Sequence, residues 1–321
     1  MGVNAKESNG SHESYEGVLP VWKPSGFTSH DVVAKVRRLL GIRRIGHTGT
    51  LDPAVTGVLP LCVGRATRVV EYIQDLPKEY EAVLTIGYST DTEDATGTVI
   101  DQVEQVNLSA DQVHTMLKRF VGVIEQVPPM YSAVKIEGKR LYELARAGME
   151  VERKPRQVEI YSIETLGMNL EQPHPDIRIR VRCSKGTYIR TLCSDIGRAL
   201  GYPAVMSDLV RTSTGGIGRE RCVTLDEIAM RRDEGTLASC FIPSDEAISY
   251  LPACRLPARE ARFALQGRTI RAEGLPDSEQ WVEGLYRVYG QPEDSAEKEL
   301  FLGLFRLDPS RTLLKPEKVF T

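Results

Sequence analysis

The stretch Gly46-His47-Thr48-Gly49-Thr50-Leu51-Asp52-Pro53-Ala54-Val55-Thr56-Gly57 constrains this chain more than any other. Its three glycines allow left-handed backbone or a close approach by another group, so the segment reads as a shaped loop between more regular elements. Pro53 biases Asp52 away from the α region and stiffens the chain around it. An aspartate capping a helix that begins with proline is the plainer reading of Asp-Pro, and taken alone it is preferred. A phosphate loop is excluded. Gly41 to Gly46 has the glycine spacing, but His47-Thr48 stands where lysine and a hydroxyl residue are required.

A length of 321 residues suggests about two domains. With 41% hydrophobic and 26% charged residues, the composition is that of an ordinary globular protein. A net charge of −3 does not announce a nucleic-acid binder, but the charges are uneven. Arg37, Arg38, Arg43 and Arg44 crowd the approach to the loop, whereas Pro292 to Glu299 is acidic. Six cysteines without Cys-x-x-Cys or zinc-like grouping suggest a reduced, cytoplasmic protein. Neither a signal peptide nor a membrane-spanning apolar run is seen, so no membrane partner is expected. The polar residues 1–16 read as a disordered leader.

Val18 to Gly26 reads as a short strand and turn. A helix follows, capped by Thr28 or Ser29, with Val32, Val33, Val36, Leu39 and Leu40 on its apolar side and Gly41 ending it. Val58 to Val63 is a buried-looking strand, Ala66 to Ile73 a helix, and Tyr80 to Tyr88 alternates as a half-buried strand does. Ser109 to Gln112 is a capping box. Lys135, Lys139, Arg140, Arg146, Arg153, Lys154 and Arg156 are interleaved with Tyr131 and Tyr142, a mixture that suits phosphates and bases. Ile177 to Cys183 puts three arginines on one strand face, meeting either solvent or phosphate. Ser184 to Thr191 turns into a helix closed by Gly201. Arg190 lies at its start, where the helix dipole disfavours a cation, so it should answer a negative charge elsewhere. After Leu251-Pro252, strand-like pieces around Phe263, Val282–Tyr289 and Leu300–Leu307 suggest a small β-barrel.

Four segments, Ser89 to Gly97 among them, resemble the TruB family of tRNA pseudouridine synthases. Gly46 to Gly57 is similar to the family motif Gly-His-Thr-Gly-x-Leu-Asp-Pro-x-x-Thr-Gly, Cys183 to Thr191 to a second signature, and Ala204 to Thr212 to a third. The resemblance runs from about Gly17 through Thr212 and more loosely beyond. It implies an α+β fold: a mixed, largely antiparallel sheet flanked by helices, in a catalytic domain spanning 17–250. A basic RNA-clasping insertion at about 126–156 and a small β-rich PUA-like domain at 251–321 are implied too, the acidic stretch arguing against strong RNA binding by the latter.

The same resemblance implies isomerisation of uridine to pseudouridine at position 55 of the tRNA T-loop, after the base is flipped out. Asp52 is then the catalytic residue, Arg190 its partner and Tyr80 the ring against the target base. Tyr188 and Leu209 line the uridine pocket, and His47 braces the space the base leaves. An arginine beside Asp52 should lower its pKa. Isomerisation needs no redox partner or group donor, so no cofactor or metal is expected. The expected partner is the T-arm of tRNA, bound by a monomer without obligate protein partners. The short basic insertion and absence of lysine-rich tails favour the stand-alone bacterial type over relatives in larger complexes. Two rivals are a non-catalytic RNA-binding protein, which the combination of Asp52, Tyr80 and Arg190 argues against, and an N-glycosidase, which would need a second acid.

Overall fold

The structure is a computed structural model and describes residues 15–136, 138–149, 151–292 and 299–320. Residues 1–14 of the expected leader and 293–298 of the acidic stretch lie outside them. Tyr15 and Glu16, the last two leader residues, are tied down. Tyr15 stacks on Phe241 with ring centroids 5.7 Å apart, and Glu16 pairs with Arg65 at 2.7 Å.

The chain begins with strand β1 (Gly17–Lys23) and helix α1 (Ser29–Leu40). Thr28 and Asp31 form a reciprocal capping box at the helix start, and Gly41 ends it in the left-handed conformation. Strands β2 (Ile45–His47) and β3 (Thr56–Val63) flank the glycine-rich loop. A 3₁₀ turn then leads into α2 (Val70–Asp75), so the expected helix 66–73 is split into two kinds of turn. Next come β4 (Lys78–Ile86), the hairpin β5 (Tyr88–Thr90) and β6 (Val99–Gln102), and α3 (Ala110–Arg119) behind its Ser109 capping box.

Strand β7 (Gly122–Gln126) precedes the basic segment, which folds into a small hairpin, β8 (Lys135–Ile136) and β9 (Lys139–Arg140), and helix α4 (Leu141–Arg146). Then follow β10 (Arg156–Asn169), β11 (Asp176–Cys183), α5 (Ile189–Leu200), β12 (Ala204–Thr214), β13 (Ile217–Gly218) and α6 (Leu225–Asp233). The nine-stranded sheet runs β1-β3-β12-β4-β11-β10-β7, with β2 beside β3 and β13 beside β12. Within this sheet only the β12–β3 pair is parallel among the described strands; the fold is α+β with a mixed, largely antiparallel sheet.

The alternation in β11 decides both faces. Ile177, Ile179, Val181 and Cys183 are buried against α3 and α5, together with Val113, Leu117, Leu192 and Ile196. The arginine face meets solvent at Arg178 and Arg182, both exposed, while Arg180 is taken up by neighbouring strands. Register sets Glu81 of β4 and Glu164 of β10 opposite Arg180, whose guanidinium bonds both, at 2.8 and 2.9 Å. Cross-strand pairs of this kind stabilise a sheet modestly and neutralise the charge.

Strand β3 is buried on both faces, which explains its unbroken apolar run. Leu59, Leu61 and Val63 pack with α1 and α6; Val58 and Cys62 pack with Val18 and with Leu304 and Phe320 from the chain's far end. That far end is a second sheet, built from β14 (Ala253–Leu256), β15 (Ile270–Arg271), β16 (Gly284–Gly290), β17 (Leu300–Leu307) and β18 (Leu313–Val319). Its order, β14-β16-β17-β18-β15, leaves an open half-barrel rather than a closed one among the described residues. Phe263, expected in a strand, lies instead in helix α7 (Ala258–Leu265). Ala261 and Ala264, three apart, are the buried side of that helix, a spacing only a helix provides.

Gly57 shows how tightly the loop is joined to the sheet. Its φ of +129° is one that side chains rarely adopt, and a β-carbon there would stand 2.3 Å from the Arg211 carbonyl oxygen on the parallel partner strand. Gly57→Ala is expected to lower unfolding free energy by on the order of 3 kcal/mol, combining backbone strain with overpacking. Urea melts of the two proteins measure it; equal midpoints would refute the close approach.

Candidate active site

The loop that follows β2 is fixed from several sides. Leu51 and Val55 are buried in the core under β4 and β12, one on each side of Asp52. The Ser29 hydroxyl accepts from the Leu51 amide at 2.9 Å, and the Gly26 amide donates to the Pro53 carbonyl at 2.9 Å. Lys23, wholly buried, donates to the Pro24 and Pro53 carbonyls at 2.9 and 3.2 Å. Arg211, also buried, donates to the carbonyls of Val58 and Gly49 at 2.7 and 3.2 Å. Asp52 is therefore a carboxylate on a rigid support rather than a helix cap.

Its partner comes from the first turn of α5. Arg190 is 4% exposed, and its Nε lies 3.0 Å from Asp52 Oδ2. The other two nitrogens donate to the Thr92 carbonyl at 2.9 Å and the Tyr131 carbonyl at 2.8 Å. One guanidinium thus joins the Asp52 loop, the β5–β6 hairpin and the basic segment. The negative charge that Arg190 was expected to answer is Asp52. Asp94 stands farther off, 4.0 Å from the same Nε. It is held in place by the Thr92 and Thr96 hydroxyls and the Thr96 amide.

Asp52, Tyr80, Tyr188, Arg190 and Leu209 line one cavity of ≈ 260 Å³. Thr187, Lys78, Ser132 and Arg211 line it too. The Ser132 hydroxyl is buried without a hydrogen-bond partner among the described residues. His47 does not line the cavity. It ends β2 with its ring edge-on to His30, centroids 5.6 Å apart, and accepts the Gly49 amide at 3.3 Å.

Enclosure pushes the Asp52 carboxyl above its ordinary range, Arg190 pulls it back, and the Asp94 charge adds to the rise. The expectation of a lowered value is corrected: the arginine acts in the expected direction, but loss of water outweighs it. Burial also pushes the Tyr80 phenol up, against the opposing pull of Arg211. His47 is moved down by burial, with His30 and Arg211 adding to the effect. Lys23 is lowered to about 8, mainly by burial.

Lys23, Asp94 and Arg211 are parts of the site that the sequence alone does not single out. Lys23 has a signal, a lysine closing an apolar strand just before Pro-Ser-Gly. Asp94 is hidden among the acids and threonines of a hydrophilic segment, and Arg211 within a strand. Among the described residues there is no group of three or more side chains suited to hold a metal ion, and no helix long and apolar enough to cross a membrane.

Comparison with known proteins identifies the family. Residues 37–189 match the TruB family pseudouridylate synthase N-terminal domain, and residues 190–249 match the tRNA pseudouridylate synthase B C-terminal domain. The tRNA pseudouridine synthase B of Geobacillus thermodenitrificans is 45% identical over 309 residues, 95% of this chain and 99% of that protein. That of Bacillus velezensis is 50% identical over 306 residues, covering 94% and 97%. Among solved structures, a Cbf5-Nop10-Gar1 complex contains a chain with a TM-score of 0.72 at 27% identity, covering 97% of this chain and 86% of that one. With relatives this similar along nearly the whole sequence, the chain belongs to the TruB family of pseudouridine synthases and is an isomerase.

Proposed function

We propose that this protein converts uridine to pseudouridine at position 55 in the T-loop of tRNA, with Asp52 as its catalytic residue. The observation that carries the reading is the Asp52–Arg190 pair, 3.0 Å apart on the wall of a cavity also lined by Tyr80, Tyr188 and Leu209. The reaction breaks the bond from ribose C1′ to N1 of uracil, turns the base, joins C1′ to C5, and moves the C5 proton to solvent as N1 gains one. A carboxylate serves it as nucleophile toward C6 of the base or C1′ of the sugar. Arg190 keeps that carboxylate aimed and favours its ionised form.

The cavity holds a single base rather than stacked RNA, so the target uridine must leave its stack to react. Tyr80 packs its ring against the base; its raised pKa works against a role as base at neutral pH. Tyr188 and Leu209 form the remaining walls, and His47, outside the cavity, braces the loop the base has left. In this reading residues 17–250 are the catalytic domain and 251–321 a PUA-like domain. The basic segment 126–156 clasps the T-arm, and the protein works in the cytoplasm as a monomer.

Pseudouridine mapping of an unmodified tRNA transcript tests the reading directly. Wild-type protein alone should convert the T-loop uridine, and Asp52→Asn should be slower by about 10⁴-fold or more. Turnover by Asp52→Asn at the wild-type rate would remove Asp52 from the mechanism, and binding without conversion by wild type would leave an RNA-binding module.

The pH profile carries a separate expectation. Enclosure favours the protonated carboxyl, so the acid limb of the single-turnover rate should have its midpoint above the ordinary aspartate value of 3.8. Arg190→Met removes the opposing charge; the midpoint should then move to higher pH and the plateau drop by on the order of 10²-fold. An acid limb that stays put in Arg190→Met would count against the ion pair as the source of control.

A further inference from the structure

Gln126 is the last residue of β7 and is 2% exposed. Both ends of its amide are used on a single residue. The Tyr188 amide donates to Gln126 Oε1 at 3.0 Å, and Gln126 Nε2 donates to the Tyr188 carbonyl at 3.2 Å. The side chain thereby copies one rung of a sheet ladder. Tyr188 is the N-cap of α5 and provides no capping hydrogen bond from its own side chain. In a capping box the N3 side chain accepts from the N-cap amide; here the N3 residue, Thr191, gives its hydroxyl to Glu93, and a glutamine from another element takes the Tyr188 amide.

The place matters because of what flanks it. Tyr188 lines the cavity, and two residues later Arg190 holds Asp52. Five residues after Gln126, the Tyr131 carbonyl accepts from Arg190. The start of the basic segment and the start of α5 are therefore stapled twice, once by Gln126 and once by Arg190. A slip of α5 that moved Arg190 away from Asp52 would have to break both Gln126 bonds.

We infer that Gln126 is a positioning residue for the isomerisation: its amide, clamped on the Tyr188 backbone, sets the start of α5 so that Tyr188 and Arg190 meet the uridine and Asp52. This rests on the pseudouridine synthase reading above. The clamp touches no substrate atom and acts through the two residues it places. It also ties the start of the basic segment to the start of α5.

Two substitutions test it. Gln126→Met keeps length and apolar volume but abandons both Tyr188 groups; kcat should fall by on the order of 10²-fold with KM little changed. Gln126→Glu can rebuild the clamp only when its carboxyl is protonated, as donor to the carbonyl and acceptor from the amide. Burial favours that form. The rate of Gln126→Glu relative to wild type should therefore climb as pH falls, a response that mere loss of stability would not give. Turnover is read as hydrogen released from C5 of labelled uridine in tRNA. Hydrogen exchange at the Tyr188 amide and the first turn of α5 is followed in the same proteins, and should be faster in Gln126→Met. Wild-type turnover by Gln126→Met, a pH-independent ratio for Gln126→Glu, or unchanged exchange would each overturn the inference. If Gln126→Met fails to fold, the ratio for Gln126→Glu decides alone. If wild type converts no uridine, the functional reading falls and exchange still decides whether the clamp holds α5.

Discussion

A buried guanidinium with nowhere else to go organises this molecule. Arg190 is almost without solvent, and an unpaired charge in such a place costs several kcal/mol. It meets that demand with one carboxylate and two carbonyls taken from three separate segments. The dependence runs both ways. Arg190 is stable there only if the Asp52 loop, the β5–β6 hairpin and the basic segment all arrive. Each of those irregular pieces in turn gains a fixed point it could not make by itself. A planar, five-donor fork suits the task where a lysine would not.

Around that fork the charges are balanced rather than simply opposed. Asp52 faces loss of water and the nearby Asp94 on one side, Arg190 and Lys23 on the other. Lys23 is displaced in its own way. Its folded value of about 8 lies below the ordinary 10.5 of a lysine, so the unfolded chain holds the proton more firmly. Stability from this group therefore grows as pH rises from about 8 toward 10.5, and below that window its buried charge weighs against the fold. Its donors join the carbonyl of Pro53, next to Asp52, to that of Pro24 in the turn after β1.

Much of this was legible in the residues. The glycine-rich loop, the helix cap at Thr28, the capping box at Ser109 and the period of two in β11 each reflect a local rule, and each appears where that rule puts it. Arg190 betrayed itself by standing at the wrong end of a helix. Helix α7 did not show because its buried residues are alanines, too small to mark a stripe, while Phe263 beside them drew the eye to a strand. Arg180 of β11 was ambiguous because its partners lie on other strands, and register is not written in any one segment. Backbone carbonyls are the hardest case. Thr92 and Tyr131 contribute theirs to Arg190, and every residue has one, so no side chain announces the role.

The second face of β1 and β3 adds a consequence of another kind. Val18, Val58 and Cys62 share a cluster with Ala66, Val69 and Ile242, and also with Leu304 and Phe320, residues made long after them. While the ribosome is still at work, the large sheet can pair its strands and close its helical side, but the part of this apolar strip that Leu304 and Phe320 cover stays open to water. Folding in the order of synthesis is thus incomplete until the segment from Leu304 to Phe320 has emerged. The C-terminal sheet is in this respect less an accessory than the closing panel of the core, and the exposed strip is the surface on which a nascent chain would be held by a chaperone or lost to aggregation.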